Sequence, residues 1–217
     1  MSWAEVKKIN DNVKRPLNKQ IRDSLYKGIQ IITKSTTWKA SRDGYYKIIV
    51  VGSGGATGTT NSGLSPTYHH IATGGGGGVA IKTLYTTTEN SHTITISADA
   101  SFDSITAYCG GSGNAYSSVP GAGGTASGGD ENYTGLSGKY QRETSNYWDS
   151  HFLHGGDVGV MIPEFITSGV LYHAYLNGSI ATITTNLMGY GLAGSYGGVE
   201  SYAKGACVII IPLELEE

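Results

Sequence analysis

Glycine restricts this chain's folding options more than any other feature. Of 217 residues 33 are Gly, roughly double the ordinary share of about 7 %. They crowd into three insertions, 52–78, 110–156 and 189–205, separated by runs rich in β-branched residues. The collagen period of one Gly in three is absent. Charged residues are only 15 % of the chain, which argues against charge-driven disorder. The insertions also keep Tyr68, Tyr116, Tyr133, Tyr140, Tyr147, Trp148, Tyr190, Tyr196 and Tyr202, more rings than a flexible linker holds, so they read as ordered loops. Where Gly runs pack side by side, polyproline-II-like stretches fit, because only Gly permits such close backbone approach.

The runs between the insertions read as strands. IQIITKSTTWKA, the turn SRDG and YYKIIVVG form a hairpin pattern, followed by strands at 79–85, 92–98, 101–108, 160–167, 170–176, 179–187 and 206–215. HTITISA alternates, as a sheet with one wet face requires, and ACVIIIPLEL is apolar nearly throughout, the mark of a strand inside a sheet. About nine short strands give an all-β expectation, a jelly-roll-like β-sandwich with long Gly/Tyr-rich loops. Tyr45, Tyr46, Tyr172 and Tyr175 read as core or strand-face rings.

The first residues differ. Residues 1–44 hold ten Lys/Arg against four acids, net +6, whereas the remaining 173 hold five against thirteen, net −8. Ser2 and Glu5 make a capping box, and Trp3, Val6, Ile9 and Val13 line one helical stripe before Pro16. Leu17, Ile21 and Leu25 carry a second stripe to Gly28. The expected division is therefore an α-helical docking segment at 1–27 and a glycine-rich β-domain at 28–217. No apolar core of signal-peptide length stands at the N-terminus, and no apolar run approaches the roughly 20 residues that span a bilayer, so neither Sec export nor membrane insertion is expected. Cys109 and Cys207 are far apart and suit a reducing cytoplasm as thiols, with one bridge the alternative.

Chemistry-bearing motifs are few. IIVVGSGGATG looks like a dinucleotide turn, but the Gly spacing fails, loop chemistry follows it, and no acid appears before Glu89. Asp149, His151, His154 and Asp157 have metal-like spacing, yet their setting reads as a solvated polar loop, as does that of His69–His70. Glu164 and Asp130 have no carboxylate partner, and Cys109 has no basic neighbour, so neither an enzyme nor a cofactor is expected. Lys7, Lys8, Lys14, Arg15, Lys19 and Arg22 lack a nucleic-acid-reading motif and suit the wet face of a docking helix. The Tyr, Ser, Gly and Asn of the insertions make an adaptable recognition surface for sugars or protein loops.

The order GYYKIIVVGSGG, TGGGGGVAIKTL, HTITISADASFDSITAYCGGSG, PGAGGTASGGD, YGLAGSYGG and KGACVIIIPLE resembles the glycine-rich domain of bacteriophage and prophage tail-fibre and receptor-binding proteins, over roughly residues 36–213. The opening MSWAEVKKINDNVKRPLN resembles, more weakly, the leader of phage structural proteins of Gram-positive bacteria. The resemblance implies a virion component made in the host cytoplasm. It also implies a homotrimer, or a passenger on a trimeric fibre, that binds a host cell-surface glycan or protein and meets other tail proteins through its N-terminal helix. From the size and ring content of the largest insertion, the expected receptor-binding residues are Tyr116, Tyr133, Tyr140, Tyr147 and Trp148. Two alternatives remain at this point: a structural or decorating virion protein, such as a head fibre or tail adaptor, and a bacterial surface lectin.

Overall fold

The computed structural model describes residues 28–61, 68–144, 156, 158–160, 170–176, 179–185, 191 and 205–213. The chain divides into two units, Met1–Gln30 and Ile31–Glu217. The expected helix at 1–27 and, apart from Val160, the expected strand at 160–167 lie outside the described residues, which are all-β with no helix.

Fifteen strands are described: β1 (Gln30–Ile32), β2 (Thr36–Lys39), β3 (Gly44–Val51), β4 (Gly58–Asn61), β5 (Tyr68–Ala72), β6 (Val79–Thr86), β7 (Ser91–Ile96), β8 (Ala100–Phe102), β9 (Ile105–Ala107), β10 (Ala126–Ser127), β11 (Glu131–Tyr133), β12 (Tyr140–Thr144), β13 (Val170–Leu176), β14 (Ser179–Thr185) and β15 (Cys207–Pro212). Two five-stranded sheets run in the orders β1-β15-β3-β6-β11 and β10-β9-β8-β7-β2. The smaller sheets are β12-β5-β4 and the hairpin β13-β14. The ladders whose register is described are antiparallel.

Strand periodicity builds one apolar core from the two large sheets. Tyr46, Ile48 and Val50 of β3 and Val208 and Ile210 of β15 meet Trp38, Ile94, Phe102 and Ile105 of the second sheet. Each fully buried aliphatic or aromatic side chain contributes about 1.5–3 kcal/mol. Trp38 stands edge-on to Tyr46, with ring centroids 5.3 Å apart. The buried Tyr46 hydroxyl donates to the Arg42 carbonyl at 2.9 Å, which satisfies its polar end. In the other strand phase Ile49, Ile81 and Ile209 are buried too, so the centre of this sheet is covered on both faces. That double burial explains the unbroken apolar run of β15, which does lie inside a sheet. β7 alternates as expected, with the polar His92 occupying a buried phase.

Several sequence expectations change. Residues 29–51 are not a hairpin: β2 pairs with β7, while β3 pairs with β15 and β6. The SRDG turn therefore carries the chain from one sheet to the other, and Trp38 meets Tyr46 across the core rather than along a ladder. Residues 101–108 are not one strand but the hairpin β8–β9, reversed at Asp103, whose φ of 50° is left-handed. Asp103 sustains that conformation because its carboxylate accepts from the Thr93 amide at 2.8 Å and contacts His92. Cys109 is half-buried and Cys207 buried, and no disulfide joins them.

The largest correction concerns the Gly-rich insertions. They are not loops over a sandwich, since they contain β4, β5, β10, β11 and β12, and every residue from 71 to 80 is buried. Where β3 and β6 end, the pairing continues with a new period. Gly52 donates to the Gly78 carbonyl and Gly55 to that of Gly75. The same three-residue step recurs between every neighbouring pair of Gly segments. Gly75 and Gly78 donate to Gly111 and Tyr108, Gly121 and Gly124 to Thr73 and Gly76, and Thr73 and Gly76 to Lys139 and Leu136. Gly135 and Gly138 donate in turn to Gly124 and Gly121. A β-ladder repeats every two residues; a step of three is that of the polyproline-II helix, with three residues per turn.

Three residues per turn, each with one N–H and one C=O, point hydrogen-bonding groups in six directions. The central segment 73–78 uses all six. It bonds to 52–57, 108–113, 120–125, 134–139, Gly156 and Gly191. Side chains cannot enter such an array. A Cβ on Gly75 would stand 2.0 Å from the Ala122 oxygen, and one on Gly110 would stand 1.9 Å from that of Gly75. The Gly runs are thus a second, peptide-built core stacked on the end of the apolar one.

Candidate functional site

The direction of each lattice segment fixes where the expected recognition residues go. Segments 52–57, 108–113 and 134–139 lead away from the large sheets, while 73–78 and 120–125 return to them, as the bonded pairs show. The lattice therefore has a base at the sheets and a distal end roughly 16 Å away, at a rise of about 3.1 Å per residue.

At the distal end the chain between 113 and 120 reverses in a small, closed turn. Asn114 and Val119 exchange both backbone bonds, at 2.8 and 3.0 Å. The Asn114 side-chain oxygen accepts from the amides of Tyr116 and Ser117, the Asx arrangement that holds a turn from inside. Ala115 is buried, and its amide lies near Gly58. Tyr116 is thereby fixed in backbone but 86 % exposed in side chain.

The sheet β12-β5-β4 lies beside this turn. Register places Tyr140 opposite Ala72 and Arg142 opposite His70, so these residues share one face. The His70 Nδ1 and the Tyr140 hydroxyl are 2.6 Å apart, and the rings stack with centroids 6.2 Å apart. The entry to β12 is clamped: Thr73 is fully buried, its amide donates to the Lys139 carbonyl, and its hydroxyl accepts from the Lys139 amide at 2.8 Å.

Of the five expected residues, Tyr116 and Tyr140 both lie at this distal end, with strands β5 and β4 between them. Tyr133 does not join them. It stands on β11 opposite Val79, at the base, where the Glu131 carboxylate accepts from its hydroxyl and raises the phenol above its ordinary pKa. Tyr147 and Trp148 lie outside the described residues, as do Asp149, His151, His154 and Asp157. Among the described residues no three His, Cys, Asp or Glu converge as metal ligands. His70 and Arg142 were not singled out as binding residues by the sequence. The available signal was their spacing from Tyr140, since a strand there puts Arg142 on the tyrosine's own face.

One other constellation looks catalytic. His92 Nδ1 lies 2.7 Å from Asp103 Oδ2, and its Nε2 lies 2.7 Å from Thr86 Oγ1, the order of a carboxylate–imidazole–hydroxyl relay. Thr86 is fully buried, and the imidazole is stacked on Phe102 and packed against Trp38. That hydroxyl is closed off by burial, so the exposed Asp103 carboxylate and the buried His92 serve to satisfy one another and Thr86. Cys109 is no better placed for attack. Burial, and then the neighbouring Asp99 carboxylate, push its thiol pKa up, which keeps it protonated at neutral pH.

No described helix is long and apolar enough to cross a membrane. Comparison with protein-family models, curated proteins and solved structures gives no match to this chain.

Proposed function

We propose that this protein is a bacteriophage virion component, of a tail fibre or tail tip, that binds a host cell-surface glycan or protein without catalysing a reaction on it. The observation that carries the reading is Tyr116, a ring 86 % exposed on a turn whose backbone is pinned to the glycine lattice. A large aromatic side chain held out by a rigid base loses little entropy on binding and offers both an apolar face and a hydroxyl. Tyr140 and His70 add a second aromatic pair at the same end of the lattice, on the distal sheet. In this reading the β-domain has a jelly-roll-like sandwich arrangement, the 1–27 segment is a helix that docks on other tail proteins, and the assembled particle carries three copies.

The test is a single substitution. Replacing the whole 112–152 insertion would remove the 120–125 and 134–139 segments of the lattice and so unfold the domain. Tyr116→Ala leaves every backbone bond of the turn in place. Fluorescently labelled full-length protein is incubated with Gram-positive host cells, and Y116A is expected to bind about tenfold more weakly, the cost of one recognition aromatic. Equal binding by the two proteins would refute a role for this turn. An intact oligomer that binds no host cell would instead favour a structural or decorating virion protein. That second reading has its own support in Tyr45 and Tyr85, an exposed cross-strand pair with ring centroids 5.1 Å apart on the large sheet.

A further inference from the structure

Exposure along the lattice segments 108–113 and 120–125 repeats every three residues. Tyr108, Gly111 and Asn114 are exposed on one side and Val119, Ala122 and Thr125 on the other, while Gly110, Gly121 and Gly124 are buried. The exposed residues are bonded neighbours: Tyr108 donates to Thr125 and Gly111 to Ala122, and Asn114 and Val119 bond each other. A Cβ on Gly111 would stand 3.2 Å from the Ala122 amide nitrogen, so position 111 faces across onto the second segment. With three residues per turn Tyr108 takes the same side, and its ring is 44 % exposed. Tyr108 at the base and Val119 at the distal turn therefore bound a trough whose floor is Gly111 and the Ala122 methyl group. Six residues at about 3.1 Å each make it roughly 19 Å long. The amides of Ala122 and Gly123 have no partner among the described residues. No charged residue occurs between Asp103 and Asp130, so the trough is neutral.

We propose that this trough binds an uncharged, Gly- and Pro-rich segment of another protein, held in the polyproline-II conformation. The proposal does not depend on the receptor-binding reading, since the Tyr116 ring forms no part of the trough. Period selects the ligand first. The trough repeats every three residues, about 9.3 Å, which is the repeat of a polyproline-II helix. A β-strand, repeating every two residues at about 6.8 Å, falls out of step with it. Backbone chemistry selects it second. A polyproline-II segment carries no internal hydrogen bonds, so its carbonyls are open to the amides of Ala122 and Gly123. The lattice seats its own segments with the same threefold step, and the trough extends that arrangement one position outward. The third selector is shape. An aromatic ring beside a shallow floor is how such segments are commonly held, and a Gly at every third ligand position lets its backbone approach Gly111 and Ala122. A ligand already extended also loses little entropy on docking.

The test is a titration of full-length protein with a fluorescent peptide of repeating Gly-Pro-Pro, a Gly-Ser peptide of equal length and a labelled dextran. The variants are Y108A, A122R and, as a control at an exposed alanine of segment 52–57, A56R. Each is checked for folding by circular dichroism, and Y108A keeps the backbone bonds that Tyr108 makes to Thr125 and Gly78. The Gly-Pro-Pro peptide is expected to bind, and the Gly-Ser peptide to bind at least about tenfold more weakly, because it must first be ordered. Y108A should weaken the Gly-Pro-Pro peptide about tenfold, the cost of one recognition aromatic. A122R should remove binding by filling the floor, and A56R should leave it within about twofold. In the unsubstituted protein the Ala122 and Gly123 amides should exchange more slowly once the peptide is bound, a readout that needs no variant. Failure of the Gly-Pro-Pro peptide to bind, equal binding of the Gly-Ser peptide, or full binding by A122R would each overturn the proposal. So would dextran binding that A122R removes, which would make the trough a sugar site. The host-cell test of Y116A is unaffected by any of these results.

Discussion

At the scale of single residues, the energetics of this protein invert the usual rule for Gly. A Gly inside a regular element ordinarily costs about 0.5–1 kcal/mol relative to Ala, through the entropy its backbone loses. At Gly75 the sign reverses, because a methyl group would overlap the Ala122 carbonyl oxygen at 2.0 Å and its carbon at 2.4 Å. Neither atom belongs to a movable side chain, and both belong to a segment bonded on several sides. Gly75→Ala should therefore destabilise the domain by about 3 kcal/mol or more, as a wedge between two backbones. Gly205 is the matched control, since a Cβ there meets nothing within 4 Å. Gly205→Ala should stay within about 0.5 kcal/mol of the parent. Urea unfolding of the two variants checks the pair, and a mild effect at Gly75 would mean that the segments can separate cheaply.

At the scale of elements, what was legible in the sequence was whatever keeps a period of two or is apolar throughout. β7, β6 and β15 follow from alternation or from continuous burial. β4, β5, β10, β11 and β12 do not, because the insertions containing them are Gly- and polar-rich and have no apolar phase to read. The β2–β3 crossing was hidden for another reason. A turn between two apolar runs looks the same whether the runs pair or face each other across a core, and the ladders, with β2 on β7 and β3 on β15 and β6, tell them apart. Close approach of Gly runs could be expected, but not which run neighbours which, since Gly carries no side chain to specify a partner. Of the site, the aromatic rings were legible and the sides they take were not. Tyr116 and Tyr140 separate from Tyr133 only when the segments' directions are known. The threefold step makes its own prediction in amide hydrogen exchange. Gly121 and Gly124 in one outer segment, and Gly135 and Gly138 in the next, donate into the lattice. They should exchange slowly, with faster positions such as Ala122, Gly123 and Leu136 between them. Protection at every second residue would instead indicate ordinary strands.

At the scale of the whole molecule, the β-domain contains two kinds of interior, and they should respond differently to temperature. The apolar core of Tyr46, Ile48, Phe102 and Ile210 buries hydrocarbon. The lattice around 73–78 buries peptide groups with little besides hydrogens on their Cα atoms. Exposing apolar surface on unfolding raises the heat capacity by about 0.45 cal/mol/K per Å², whereas exposing polar surface lowers it by about 0.26. The two interiors therefore oppose each other in ΔCp while both favour the folded state. Hydrogen bonds of the lattice contribute about 1 kcal/mol each. Calorimetric unfolding should accordingly give a ΔCp per residue below the ordinary range of about 12–15 cal/mol/K, and a stability curve flatter than that of a sandwich of equal length. The six neighbours of 73–78 all come from the same chain, so the lattice closes without a second copy. A chain that unfolds as a monomer should then show a transition temperature independent of protein concentration, whereas one that associates only when folded should show a transition temperature that rises with it. A ΔCp inside the ordinary range would show that the Gly segments are not buried together in solution. A transition temperature that rises with concentration would show that the folded chains associate, with the lattice of each copy already closed on itself.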